Sequence, residues 1–201
     1  MPSVIERAST GRAKCRACSQ PIAKGDERFG EALPNSYGEG ESLFWFHLPC
    51  AACARPESLL PVLEQSQASP STREALTALA RDGIAHPRLC RITKAERASS
   101  GRARCRHCRE LIEQGALRIS LQMFEEGRFN PIGTIHATCG VHYFEVEPAL
   151  ERLRLPCNQL EEAELEAVMA QMREGATREI LPGLAKAGPE EPAEEASRKS
   201  S

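Results

Sequence analysis

Gly11-Arg12-Ala13-Lys14-Cys15-Arg16-Ala17-Cys18 returns ninety positions later as Gly101-Arg102-Ala103-Arg104-Cys105-Arg106-His107-Cys108. Each copy is answered downstream by a His-x-x-Cys pair, His47-Leu48-Pro49-Cys50 in the first and His136-Ala137-Thr138-Cys139 in the second. Every repeat therefore offers three thiols and one imidazole. A Cys-x-x-Cys turn presents two sulfurs to one ion without straining the backbone, and closed four-coordinate sites of thiolate and imidazole are those of structural zinc. The expectation is two Zn2+ ions, one held by Cys15, Cys18, His47 and Cys50, the other by Cys105, Cys108, His136 and Cys139.

The repeat extends outward from this motif. Glu6-Arg7-Ala8-Ser9 precedes the first turn as Glu96-Arg97-Ala98-Ser99 precedes the second, and Gly25 and Arg28 match Gly115 and Arg118. After each turn the pattern reads as a further turn and a strand, Pro21 to Phe29 or Leu111 to Ile119. Turn-rich loops come after these (34–40 and 125–131), and short strands, Leu43 to Phe46 or Ile132 to Ile135, deliver the His. Helices come next. Ser71 with Glu74, and Asn158 with Glu161, have the form of capping boxes, and Gly83 and Gly175 read as helix stops. Leu76 and Leu79, and Leu165, Val168, Met169 and Met172, recur at helical spacing.

The fold expected is α+β: two tandem small zinc-stabilised domains, each a short antiparallel sheet with a Cys3His site followed by helices. The boundaries are 1–83 for the first unit, 84–94 for a linker, 95–175 for the second unit and 176–201 for a disordered tail of Ala, Glu, Pro, Lys and Ser. At 201 residues with 4% aromatics, metal ligation has to supply part of the folding energy. Nine cysteines without a secretory leader point to a reducing, intracellular setting, cytoplasm or nucleoid in a bacterium and nucleus in a eukaryote. No stretch reads as a membrane span.

Charge is uneven. The net −2 comprises balance over 1–90, +4 over 91–140 and −6 over 141–201, so any phosphate binding has to be local, beside the two cysteine turns. Cys53, Cys90 and Cys157 have no repeat partner and read as structural, although Cys53, His107 or His142 are also placed to substitute as ligands. Phe44, Trp45 and Phe46 read as core. Arg12 and Arg102 suit either phosphate binding or pairing with the repeated Glu6 and Glu96. A deaminase reading fails for want of a His-x-Glu before Pro49-Cys50-Ala51-Ala52-Cys53. A thioredoxin-like one fails for want of a βαβ pattern.

Ser/Thr-Gly-Arg-Ala-x-Cys-x-x-Cys, the subsequent Ile-x-x-Gly-x-x-Arg and the return Trp45-Phe46-His47-Leu48-Pro49-Cys50 together resemble the zinc fingers of poly(ADP-ribose) polymerases. The second unit departs from the family in having Thr134-Ile135 before its His. The resemblance covers the two finger cores and implies a non-enzymatic binder of DNA strand breaks, nicked or broken duplex, without the polymerase domain. It also implies that Arg12 and Arg102 grip phosphate, with Lys14, Arg16, Arg104 and Arg106 thickening the positive patch. Phe129 and Ile132 stand where the family stacks apolar residues on an exposed base pair, a place for which the first unit offers only Tyr37 or Leu43. The competing expectation is a zinc-scaffolded protein-interaction module whose acidic helices bind a protein partner. A third is binding of RNA or single strands.

Overall fold

The computed structural model describes residues 2–35, 39–66, 70–125, 127–155, 158 and 160–177. Tyr37, Cys157 and the expected tail beyond Thr177 lie outside them.

The architecture is α+β, with two three-stranded antiparallel sheets, each followed by helices. In the first unit β1 (Val4–Arg7), β2 (Glu27–Pro34) and β3 (Glu41–His47) pair in that order, followed by α1 (Leu48–Ala54), α2 (Pro56–Glu64) and α3 (Pro70–Ala85). In the second, β4 (Ile92–Arg97), β5 (Leu117–Glu125) and β6 (Arg128–His136) precede α4 (Gly140–Phe144) and α5 (Glu162–Thr177).

Alternation along the strands selects the core face. Phe29 pairs with Phe46 and Ile119 with Ile135, and all four are fully buried. Burial of each such side chain contributes roughly 1.5–3 kcal/mol, which explains how sheets this small hold together. On the opposite face the repeat carries an ion pair. Arg28 meets Glu6 at 2.6 Å and Arg118 meets Glu96 at 2.9 Å, each across the first two strands of its sheet. The lead-in segments before the cysteine turns are therefore strands, β1 and β4.

Several boundaries differ from expectation for physical reasons. Residues 125–131, expected to be a loop, are mostly the paired ends of β5 and β6, with Glu125 opposite Arg128. A register shift at Leu121/Gln122 accommodates this longer hairpin. Ser71 sits inside the first turn of α3 rather than ahead of it, because the helix starts at Pro70. Pro suits that position, where its missing N–H is not needed. At α5 the box is displaced by three residues: the Glu161 N–H donates to the Glu164 carboxylate at 3.4 Å, while Asn158 accepts from the Leu160 N–H.

Neither glycine expected to stop a helix does so. α3 continues past Gly83 and α5 past Gly175. Both are close-approach positions. A Cβ on Gly175 would lie 1.7 Å from the Thr138 carbonyl oxygen, and one on Gly83 would lie 3.0 Å from both Arg152 Nη2 and Cys90 Sγ. Residues 84–94, expected to be a linker, hold the end of α3, a 3-10 turn (Pro87–Arg91) and the start of β4. Leu89 and Ile92 are buried in the core of the second unit.

The two units also touch. Leu155 and Phe129 from the second unit join the core of the first, and Phe129 meets Phe46 edge-on at 6.2 Å. Arg55, which donates to the buried Glu31 carboxylate at 2.6 Å, carries Phe124 of the second unit against its guanidinium at 3.8 Å.

Candidate metal centres

The cysteine turn is a small hairpin in each unit. The Cys15 N–H donates to the Gln20 carbonyl at 2.9 Å and the Ser19 N–H to the Cys15 carbonyl at 2.8 Å; Cys105, Glu110 and Arg109 repeat both bonds. Closing so tight a turn forces Ser19 and Arg109 to left-handed backbone angles, φ 60° and 69°. Lys14 bridges to Pro21 and Arg104 to Leu111 at the base of the turn. The His ends the third strand and is the N-cap of the helical turn beyond it. The fourth ligand therefore arrives three residues on, in the first turn of α1 or in the 3-10 turn Ala137–Cys139.

These elements bring Cys15, Cys18, His47 and Cys50 into one cluster and Cys105, Cys108, His136 and Cys139 into another, with all ligand atoms of a cluster within 4.8 Å of one another. Cys18 Sγ and Cys50 Sγ lie 3.4 and 3.8 Å from His47 Nδ1, and Cys108 Sγ and Cys139 Sγ lie 3.4 and 3.9 Å from His136 Nδ1. Tetrahedral zinc, with bonds of about 2.3 Å to sulfur and 2.05 Å to nitrogen, separates S from N by about 3.6 Å.

The outer nitrogen of each ring completes the fit. His47 Nε2 lies 3.1 Å from the Pro21 carbonyl and His136 Nε2 lies 3.2 Å from that of Leu111. A carbonyl can only accept, so Nε2 carries the proton and Nδ1 presents its lone pair to the sulfurs, as an imidazole ligand must. In the second unit the His136 N–H also donates to Cys105 Sγ at 3.4 Å.

The electrostatics of the clusters call for a cation. Hydrogen bonds from Cys18 and Cys50 draw the Cys15 thiol far down, and those from Cys139 draw Cys105 down to about 4. Hydrogen bonds to Cys15 and Cys18 push the Cys50 thiol up, and the hydrogen bond to Cys105 pushes Cys139 up. Hydrogen bonding to Cys15 and Cys18 raises His47 to about 10, which marks thiolate charge concentrated at Nδ1; a metal ion bound there would take the place of a proton on that nitrogen. Three thiolates and one imidazole at tetrahedral spacing are the donor set of structural zinc.

The alternative ligands lie elsewhere. Cys53, on α1, is buried and its thiol is pushed up to about 11 by burial. The His142 ring bonds through Nε2 to the Gly175 carbonyl at 3.0 Å and stacks on His107 at 6.1 Å. Cys90 lies against the Gly83 carbonyl at 3.5 Å.

Around the clusters Arg12, Lys14, Arg16, Arg102, Arg104 and Arg106 are all exposed. Arg12 and Arg102 do not pair with Glu6 and Glu96, because Arg28 and Arg118 occupy those carboxylates. Arg16 lies over the Phe44 ring at 4.5 Å; Arg104 donates to the Arg109 carbonyl and Arg106 to that of Ile132. Phe46 is core, whereas Phe44 and Trp45 are only half-buried. Ile132 packs on the second core, and Phe129 packs on the first unit against Phe46. Two buried charges had no signal in the repeat: Glu31, whose position ninety residues later is Leu121, and Arg152, whose position ninety residues earlier is Val62.

Two repeats of a cysteine turn, a three-stranded sheet and a Cys3His cluster give the chain two metal-binding sites with the donor set of zinc fingers. No protein-family model matches it. The chain is similar to poly [ADP-ribose] polymerase 1 of Oryza sativa subsp. japonica, 27% identical over 155 residues, which cover 72% of this chain and 14% of that relative. It thus spans about one seventh of the relative's length, and the similarity is to the finger region rather than the catalytic domain. The match and the two Cys3His clusters are consistent with a poly(ADP-ribose) polymerase-type zinc-finger region. Among the described residues no helix is long and apolar enough to cross a membrane.

Proposed function

We propose that the chain is a non-catalytic, zinc-dependent DNA-binding module that engages nicked or broken duplex through its two fingers. The observation that carries this reading is the set of six exposed cations on the two cysteine turns. Among the described residues none of them forms an ion pair, while the arginines one strand away are held by carboxylates. A guanidinium fixed beside a rigid metal knuckle and unclaimed by a carboxylate is preorganised for bidentate contact with phosphate. The similarity to a polymerase named for poly(ADP-ribose) supports the same reading. Closed Cys3His sets leave zinc no open coordination position, which argues for a structural metal.

The acidic C-terminal third is less suited to capturing a partner. Glu162, Glu164 and Glu147 pair with Arg154, Arg97 and Arg173 of the same chain, and the apolar face of α5 is buried. The test is a titration with nicked, open-ended and closed intact duplexes over a range of salt. Binding that weakens steeply with salt and favours the nick supports the proposal. Equal affinity for nicked and intact duplex removes the break preference, and absence of binding with zinc loaded removes DNA altogether.

A further inference from the structure

In each unit a helix packs against the turn that carries the fourth metal ligand, and the two units fasten that helix differently. In the second, α5 is held on the Ala137–Cys139 turn by the unit's own residues. The His142 ring bonds through Nε2 to the Gly175 carbonyl at 3.0 Å. A Cβ on Gly175 would meet the Thr138 carbonyl oxygen, and one on Gly140 would lie 2.8 Å from Cγ of Met172. Among the described residues, the buried cluster around this site runs from Leu89 to Met172 and takes no side chain from the first unit's sheet or from α1, α2 or α3.

In the first unit the fastening comes from the other half of the chain. Helix α1, which carries Cys50, is tied to α3 by Arg152, whose guanidinium donates to the Cys53 carbonyl, the Leu79 carbonyl and Asp82. Phe46, the residue before His47, has Phe129 edge-on to its ring, and Arg55, the C-cap of α1, has Phe124 on its guanidinium. Leu155 is buried in the same cluster as Cys15, Cys18 and Cys50. Side chains of the second unit thus brace the His47–Cys50 segment at both ends. The hairpin that makes the contact is remote from its own metal site: Phe129 and His136 lie near opposite ends of β6, about 23 Å apart along an extended strand.

We infer that the contact between the units is a clamp on one metal site only: Cys15, Cys18, His47 and Cys50 let go of their ion when the second unit parts from α1, whereas Cys105, Cys108, His136 and Cys139 are closed by α5 and let go independently of that contact. Exchange at a closed four-coordinate site requires the ligand segment to open locally, and the free energy of opening follows the tertiary contacts the segment has to break. For His47–Cys50 those contacts include Arg152, Phe124, Phe129 and Leu155; for His136–Cys139 they include Gly175, Met172 and the His142 bond. The clamp is a property of the metal sites and is the same whether or not the chain binds DNA.

The cysteines report each site separately. The full zinc-loaded chain is mixed with excess EDTA and N-ethylmaleimide, and the alkylation of every cysteine is followed by peptide mass mapping. Arg152→Met keeps the apolar stem and removes the donors. It is expected to speed alkylation of Cys15, Cys18 and Cys50 about fivefold or more, and to leave Cys105, Cys108 and Cys139 within about twofold of the wild type. Cys53, buried beside the clamp, is expected to become reactive together with the first set. Phe129→Leu provides a second, milder opening of the same contact. Although it alters β6 of the second unit, it is expected to speed the first set and not the second. Acceleration of the second set alone, equal acceleration of both sets, or unchanged rates in both variants overturns the inference. Should Arg152→Met expose all cysteines at once through loss of fold, the two sets in Phe129→Leu decide by the same criteria.

Discussion

Arg152 of the second unit, with a fully buried side chain, donates from Nε to Asp82 Oδ2 of the first at 3.2 Å. Its Nη1 donates to the Cys53 carbonyl at 3.3 Å and its Nη2 to the Leu79 carbonyl, so one guanidinium ties the end of α1 to the body of α3. With Arg55 against Phe124 and Phe129 against Phe46, the contact joins the two units into one packed body.

Replacing Arg152 by Ala removes a buried charge and strands two carbonyls. The expected loss is about 2 kcal/mol, from hydrogen bonds to buried carbonyls left unmade and from the lost packing of the side chain, since Asp82 keeps access to water. In scanning calorimetry the wild type is expected to unfold in one transition and the variant in two, with both metals retained. One unaltered transition in the variant contradicts the account.

Gly175→Ala is expected to destabilise by about 3 kcal/mol, since the new Cβ meets the Thr138 backbone, which cannot swing aside as a side chain can. In an open helix interior the same change stabilises by about 1 kcal/mol, so the sign alone decides. Urea denaturation reads the difference. Gly83→Ala, with a gap of 3.0 Å to side-chain atoms, is expected to cost less.

Burial raises the Cys53 thiol from 9.0 to about 11. The unfolded chain therefore ionises first as pH rises, and stability present below about pH 9 falls until the folded thiol also ionises near 11. The loss from this group is about 3 kcal/mol. Cys53→Ala is expected to flatten the decline in melting temperature between pH 9 and 11; an unchanged decline places its origin elsewhere.

Arg12→Ala with Arg102→Ala is expected to weaken DNA binding more than either change alone. It should also reduce the slope of log affinity against log salt by about 0.9 for each phosphate no longer neutralised. Melting temperature should hold, because neither arginine is in an ion pair among the described residues. A double variant with wild-type affinity excludes these residues from the interface.

The parts legible in sequence were those fixed locally. Cys-x-x-Cys and His-x-x-Cys spacing is dictated by the demands one ion makes of neighbouring residues, and the doubled motif marks both clusters. The α+β order follows from strand alternation and helical spacing. The features that escaped depend on residues far apart. Gly83 and Gly175 look like helix stops until Arg152 and Thr138 are seen passing over them. The Glu6–Arg28 and Glu96–Arg118 pairs were visible as a repeat, and their geometry as cross-strand neighbours removes the alternative partners for Arg12 and Arg102. Arg152 has Val62 at its repeat position and so left no periodic trace. Phe129 reads as an exposed loop aromatic because its partner, Phe46, belongs to the other unit.

The central claim is that two metal ions organise the chain, and zinc stoichiometry of the purified full chain by elemental analysis tests it most directly. The account predicts two zinc ions per chain, falling to one when His47 and Cys50, or His136 and Cys139, are replaced by Ala. Fewer than two in the wild type, or two retained after either replacement, contradicts it.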